Sequence, residues 1–594
     1  MNHEPHIHPR QAGAPMTGRS ITRRGLIRGT GTAALGLGGA ALLGCGEDDE
    51  PGATATSTST ATGGTATAEG TSTVGAGPKQ GGTYRTRITN DPASLDPYAT
   101  ASFTTKEFSG HVYSRLFKID AQPNANPYNQ GLLPDLAESA ESEDGQHWTV
   151  VLRPDVHYHD IAPVSGRTVT AEDVIYSWDR LKAPESVNAV NVEDIVSAEA
   201  VDDRTLNFTT VAPTAIFMEK LADANNLWVV PVESQDYQIT TTAIGTGPWM
   251  LGNYQVGSRV EYVRNPNYYE TDTPYMDSIT RNIIPEYANG RAQFEAGNLD
   301  AIGVTADDVL DMYGNNPDWQ WVGVVSGGLH YAFFAPPEMD PDAPWRDERF
   351  RIAISMGLNR ADLMELAYNL KAMEDAGLDP SSAWNNVVSV TLGKWWLDPQ
   401  SEAQGPSAAN FEYNPEEAMR LISAMGAEGA TMKWQYAGQQ YGATFDRVAE
   451  AAGQMMSELG LTIQTEVQDY NAIYFPQTRA GNFHGLAQGV TPGYPEVSGF
   501  VDRFFSSGTS NATKVNDERI NDLRAQQATE LDEAARVEQI HEIQRINAEH
   551  MYYIPFPTGA GTGFTAYQGP VRGIRTTRGY GSATEEVAHY WLDV

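Results

Sequence analysis

The chain has 594 residues, with 40 Lys and Arg against 76 Asp and Glu, a formal net charge of −36 and a single cysteine. So acidic a surface excludes nucleic-acid binding through phosphate contacts, which needs a basic footprint. One thiol excludes an internal disulfide, so packing must hold the fold, and a body of this size is expected to divide into two or more lobes.

The chain opens with an export-signal pattern. Arg23 and Arg24 precede a 16-residue uncharged run from Gly29 to Gly44, and Leu42-Leu43-Gly44-Cys45 closes it. Charged, apolar and small residues in that order read as a signal peptide. The run is shorter than the about 20 apolar residues of a spanning helix. The paired arginines resemble the twin-arginine export motif. Leu42-Leu43-Gly44-Cys45 resembles a bacterial lipobox, which implies acylation of Cys45, although Leu43 stands where that motif usually has a smaller residue. Residues 1–45 are thus expected to be a twin-arginine-type lipoprotein signal, discarded with His3, His6 and His8. Gly29-Thr30-Gly31-Thr32-Ala33-Ala34 matches a dinucleotide pattern, but no strand precedes it and it lies inside the signal. Residues 46–79 contain no aromatic and one branched aliphatic, Val74. Such a stretch cannot bury enough apolar surface to offset its ordering entropy, and a flexible tether is expected.

Beyond the tether, strand-like and helix-like segments interleave, which argues for α/β architecture. Asp91-Pro92 predicts a chain break, and Trp148-Thr149-Val150-Val151-Leu152 predicts a strand. Thr170 with Asp173 three residues on predicts a helix start, and Val174, Trp178 and Leu181 give that helix one apolar face. Gly245-Thr246-Gly247-Pro248 and Asn265-Pro266-Asn267 predict further breaks. Leu531, Val537, Ile540, Ile543 and Ile546 predict a second amphipathic helix near 530–550. No tandem repeat is present.

Chemistry-bearing motifs are sparse. His157-x-His159-Asp160 would put two histidines on one strand face, but no cysteine or third histidine completes a metal set. There is no Gly-x-Ser-x-Gly elbow or His-Glu-x-x-His helix, and with Cys45 acylated no thiol nucleophile remains. Gly393-Lys394 lacks the flanking residues of a phosphate loop. Carboxylate pairs are abundant in so acidic a chain and carry no argument for a hydrolase. No enzyme activity, cofactor or metal is expected.

A series of segments occurs in a shared order along residues 80–560. It runs through Gly81-Gly82-Thr83-Tyr84-Arg85, Asp91-Pro92-Ala93-Ser94-Leu95-Asp96-Pro97, Val112-Tyr113-Ser114-Arg115-Leu116 and Leu133-Pro134-Asp135-Leu136-Ala137-Glu138-Ser139. Leu152-Arg153-Pro154-Asp155-Val156, Thr170-Ala171-Glu172-Asp173-Val174, Gly245-Thr246-Gly247-Pro248-Trp249 and Arg264-Asn265-Pro266-Asn267-Tyr268 follow. Asp347-Glu348-Arg349-Phe350-Arg351-Ile352-Ala353 and Tyr413-Asn414-Pro415-Glu416-Glu417-Ala418 complete it. In this order the chain resembles the extracytoplasmic solute-binding proteins of ABC importers, family 5, the peptide and nickel class.

The resemblance implies a two-lobed periplasmic-binding-protein-like fold of type II with an extra α/β subdomain. The body, 80–594, would then divide into lobe I, about 80–328 plus 558–594 with an insertion at about 126–243, and lobe II, about 329–557. It implies capture of an oligopeptide or peptide-like solute between the lobes and delivery to ABC permease subunits, with a monomer expected. A sugar or a metal chelate is the alternative solute, presentation of the solute to a sensor is the alternative role, and a secreted hydrolase is the alternative from another class. Gln488, Gly489, Val490 and Thr491 lead into the family's cleft loop. There peptide binders carry an amine-pairing aspartate, whereas this chain has Pro492, Gly493 and Tyr494, with Glu496 the nearest acid. Tyr331 and Phe333 would share the face of a strand that reaches the cleft, and Phe103 and Thr104 fall in the ligand-facing segment of the first lobe. Trp384, Trp395 and Trp396, from a variable region, are further candidates for the cleft lining.

Overall fold

The computed structural model describes residues 77–100, 102–122, 131–186, 188–324, 327–380, 383–438, 440–494, 496–508, 511–557, 563–574 and 585–594. The expectations for residues 1–76, including Arg23, Arg24 and Cys45, lie outside the described residues. Among the described residues no helix is long and apolar enough to cross a membrane.

The first half is built on two four-stranded sheets. One runs Thr83–Ile88, Ser278–Ile283, Arg259–Arg264, Trp249–Gln255, with its first pair parallel and the others antiparallel. The other is antiparallel, in the order Ala137–Glu141, His147–Leu152, Thr205–Thr210, Ile195–Ala200. The strand expected at 148–152 is thus present and central. The helix Ala171–Lys182 begins where Asp173 reaches back to the Thr170 backbone N–H at 3.0 Å, and Val174, Trp178 and Leu181 are all buried. These elements share one core that includes Tyr84, Leu152, Trp178, Trp249 and, from the end of the chain, Val571 and Tyr590.

The end of the chain returns to this half. Gly563–Tyr567 inserts between Ala301–Val304 and Gln320–Val324 as the middle strand of a three-stranded sheet. Lys79, at the entry to the body, pairs with Asp593 at 2.8 Å.

The second half carries a five-stranded mixed sheet, ordered Thr462–Gln468, Thr431–Ala437, Leu486–Thr491, Leu329–Phe334, Tyr553–Pro555. Because side chains alternate along a strand, each strand feeds two cores. Ala332, Phe334, Trp434 and Leu486 pack against the helices Glu348–Gly357 and Ala443–Glu458. Tyr331, Phe333 and Ala487 pack on the opposite face, against Val497–Phe505 and Glu533–His550. The last helix is shorter at its start than the periodicity predicted. The Asp532 side chain accepts from Ala535 N at 2.8 Å and caps it there, which leaves Leu531 outside, half-exposed. The Leu531 methyls lie instead beside Gly145 of the first half.

Candidate functional site

Three strands of the central sheet finish at one end, Thr431–Ala437, Thr462–Gln468 and Leu486–Thr491, and Leu329–Phe334 begins there. At that end the crossing segment from the first half meets the loop after Thr491. A Cβ on Gly493 would stand 3.1 Å from the Gly327 backbone, so the two segments touch main chain to main chain. Aromatic side chains crowd the same place. The rings of Tyr441 and Tyr470 lie 5.8 Å apart and those of Tyr470 and Tyr474 6.1 Å, while the Tyr474 hydroxyl donates to Gln488 O at 2.8 Å.

Arg479 stands among these rings. Its Nη2 donates to Val490 O at 3.2 Å, and no carboxylate pairs with it among the described residues. Burial opposes its charge, but Tyr331, Tyr474, Tyr441 and Tyr494 surround it and the net shift is upward. Most other arginines of this acidic chain hold a carboxylate, as Arg167 holds Asp173 and Glu233. A half-buried guanidinium ringed by phenols and lacking an anion is suited to accept one from a solute.

A cavity of 270 Å³ lies between the halves, with Leu132, Met218 and Glu219 on one side and Trp395, Glu496 and Arg536 on the other. Glu496 caps the helix Val497–Phe505 through Ser498 N at 2.7 Å and pairs with Arg536, whose guanidinium lies 4.7 Å from the Trp395 ring centre. Glu219 faces this pair from the first half, and its buried Oε2 has no hydrogen-bond partner among the described residues. Desolvation, reinforced by the Glu496 charge, pushes the Glu219 carboxyl up from its ordinary 4.5 to about 7.

The direction of that shift fixes a pH dependence. An acid raised in the folded state contributes stability that is fully present below 4.5 and is lost as pH rises through about 7. Glu219→Gln is therefore expected to lose less stability than the parent between pH 5 and 8, by on the order of 2 kcal/mol after allowance for partial exposure. Urea unfolding at the two pH values measures it, and parallel losses in the two proteins would refute the assignment.

The structure brings some of the residues singled out in the sequence together and disperses others. Tyr331 is only 2% exposed; its hydroxyl accepts from Arg503 Nη2 at 3.0 Å, and its ring occupies space that any Cβ on Gly489, directly across the ladder, would invade at 2.8 Å. Phe333 shares that face, 5.7 Å from the Tyr331 ring, and is wholly buried against Phe483. Gln488 is also wholly buried, with no partner for either amide atom among the described residues, while Thr491 closes the strand through a bond from its hydroxyl to Pro492 O at 2.9 Å. Val490 supplies the carbonyl that Arg479 grips, and Tyr494 packs edge-on against Phe500 above Gly499.

The remaining residues lie apart from that group. Trp395 lines the cavity between the halves, Trp396 donates to Trp384 O at 3.1 Å, and the Trp384 ring lies 5.8 Å from the Arg360 guanidinium. Phe103 opens the helix Phe103–Val112, and Thr104 Oγ1 in its first turn donates to Asp91 O at 3.2 Å.

Sequence reasoning missed Arg479, Tyr441, Tyr470, Tyr474 and Glu219. The only signal was the four-residue spacing of Tyr470 and Tyr474 shortly before an arginine. The two histidines at 157 and 159 have separate structural roles. His157 bonds Gly166 O, while buried His159 bonds Gly247 O and accepts from Gly245 N, its imidazole pushed down to about 4 by desolvation.

A family model described as bacterial extracellular solute-binding proteins, family 5 Middle, matches residues 131–512. The periplasmic murein peptide-binding protein MppA of Escherichia coli K12 is 23% identical over 506 residues, which cover 79% of this chain and 86% of that protein. The ABC transporter substrate-binding protein CtaP of Listeria monocytogenes shares the fold with a TM-score of 0.70 at 19% identity, covering 87% of this chain and 100% of that one. The oligopeptide-binding protein AppA of Bacillus subtilis, solved with a nonapeptide, gives 0.59 at 17% identity, with 87% and 100% covered. The fold is thus the two-lobed one of periplasmic binding proteins, and the chain belongs to the bacterial extracellular solute-binding proteins of family 5.

Proposed function

We propose that this protein is a lipid-anchored receptor that captures a peptide or peptide-like solute between its lobes and delivers it to an ABC permease. The observation that carries the solute class is Arg479, a cation with no carboxylate partner among the described residues, ringed by tyrosines at the end of the central sheet where the halves meet. A carboxylate of the solute would complete its pairing, and the tyrosine rings would cover the solute's apolar surface. The peptide-binding names of the relatives support the same class. Glu496 is already engaged by Arg536, so the amine end of a peptide would find its counter-charge in Glu219 from the opposite half, drawing the lobes together.

The test is native mass spectrometry of the protein purified without denaturation. A bound mass in the peptide range is the expected result; a sugar or a metal complex in its place would overturn the peptide reading while leaving the family intact. For the anchor, Cys45→Ser is expected to move the protein from the membrane fraction to the soluble one. Unchanged fractionation would remove Cys45 from that role.

A further inference from the structure

A second cavity, open and of 730 Å³, lies at the other end of the central sheet, where Leu329–Phe334 finishes and Leu486–Thr491 begins. Its wall carries charges of both signs. Two carboxylates line it, and both are engaged: Asp347 with Arg349 at 2.5 Å, and Glu348 with His550 at 2.5 Å. Three cations also line it, Arg346, Arg351 and Lys514, and none of them pairs with a carboxylate among the described residues. In a protein of net charge −36, a wall whose lining holds three cations against two carboxylates is locally less acidic, although Asp340 and Glu338 act on Arg346 from nearby.

The donors in this wall are only partly used. Arg351 is 9% exposed; its Nε donates to His550 O at 2.8 Å, its Nη1 to Trp345 O at 2.9 Å and Arg346 O at 3.2 Å, its guanidinium lies 5.2 Å from the Tyr552 ring centre, and among the described residues Nη2 has no hydrogen-bond partner. Arg346 donates from Nη2 to Ala335 O, while its buried Nε has no acceptor. Trp345 is 5% exposed, and its buried indole Nε1–H is likewise unpaired. A buried donor left unpaired costs about 1–3 kcal/mol. Lys514 sits at the rim in the left-handed region, φ 55°, a conformation that costs a non-glycine residue on the order of 1 kcal/mol. The orphan donors are features that the oxygens of a bound anion would satisfy, with Lys514 exposed at the rim to add charge.

We propose that this cavity binds a small organic or inorganic oxyanion, carrying carboxylate or phosphate groups, at a site separate from the solute cleft. Trp345 and Arg346 would donate to its oxygens, with Arg351 and Lys514 supplying charge. The cavity lies wholly within the second half, so its occupancy does not depend on closure of the lobes.

The test follows the Trp345 indole N–H in protein labelled with ¹⁵N-tryptophan, its resonance assigned with Trp345→Phe. Citrate, inorganic phosphate and, as control, sodium chloride at matched ionic strength are the probes. Saturable movement of that resonance with citrate or phosphate is expected, and the probe that acts at the lower concentration identifies the group. Arg346→Gln is expected to weaken the response by about tenfold, Lys514→Ala by less, and Arg479→Met not at all. A response equal in chloride, no movement with either oxyanion, or an undiminished response in both Arg346→Gln and Lys514→Ala would overturn the site. Should Arg346→Gln fail to fold, Lys514→Ala decides, because its side chain lies at the rim.

Discussion

Arg479→Met is expected to weaken solute binding by about 100-fold, equivalent to about 2–3 kcal/mol, the range measured for loss of a charge-assisted hydrogen bond in a desolvated site. Methionine keeps the length and apolar stem of the side chain, so the tyrosine rings around it retain a packing partner. Among the described residues the fold loses one bond, to Val490 O, and no ion pair. The measurement is calorimetric titration with the tightest member of a panel of two- to nine-residue peptides. A second arm uses the same peptide with its C-terminal carboxylate amidated. If Arg479 receives that carboxylate, the amidated peptide binds the parent weakly and the variant no worse, a coupling that a merely structural arginine would not show. Equal affinity of parent and variant for the free peptide would remove Arg479 from the site.

The sheets were legible where burial is one-sided. Trp148 to Leu152 and the helix carrying Val174, Trp178 and Leu181 follow from residue type and period alone, and both stand in the structure. The pairing of Tyr331 with Phe333 on one face followed from the two-residue repeat of a strand. Leu531 did not follow, because a cap at Asp532 outranks apolar spacing, and the leucine serves a contact with the first half rather than its own helix. The site was harder for a different reason. Arg479 is informative through what it lacks, a carboxylate, and absence of a partner is a property of three-dimensional neighbours. Glu219 and Glu496 are 277 residues apart in the chain, and only the approach of the two halves makes one raise the pKa of the other.

Gly245→Ala is expected to destabilise the first half by about 3 kcal/mol or more, whereas Thr246→Val, one residue on, is expected to be neutral or stabilising. The Gly245-Thr246-Gly247-Pro248 segment reads in sequence as a chain break, yet its glycines are required by close approach. A Cβ at Gly245 would stand 2.1 Å from Val112 O, and one at Gly247 would stand 2.6 Å from His111 O. Both obstacles are backbone carbonyls at the end of the helix Phe103–Val112, so no side-chain rotation can relieve them. The Gly247 N–H also donates to Val112 O at 2.9 Å, and His159 bonds both glycines from the other side. Moving the segment away would break these bonds together. Thr246, wholly buried between the glycines, has a hydroxyl with no hydrogen-bond partner among the described residues, and valine replaces that hydroxyl by a methyl of similar shape. Thermal unfolding of the two variants beside the parent separates the terms. A mild effect of Gly245→Ala would show that the helix end can retreat. A large loss in Thr246→Val would reveal a partner for the hydroxyl, such as a buried water, and would make this segment a polar joint rather than a packed one.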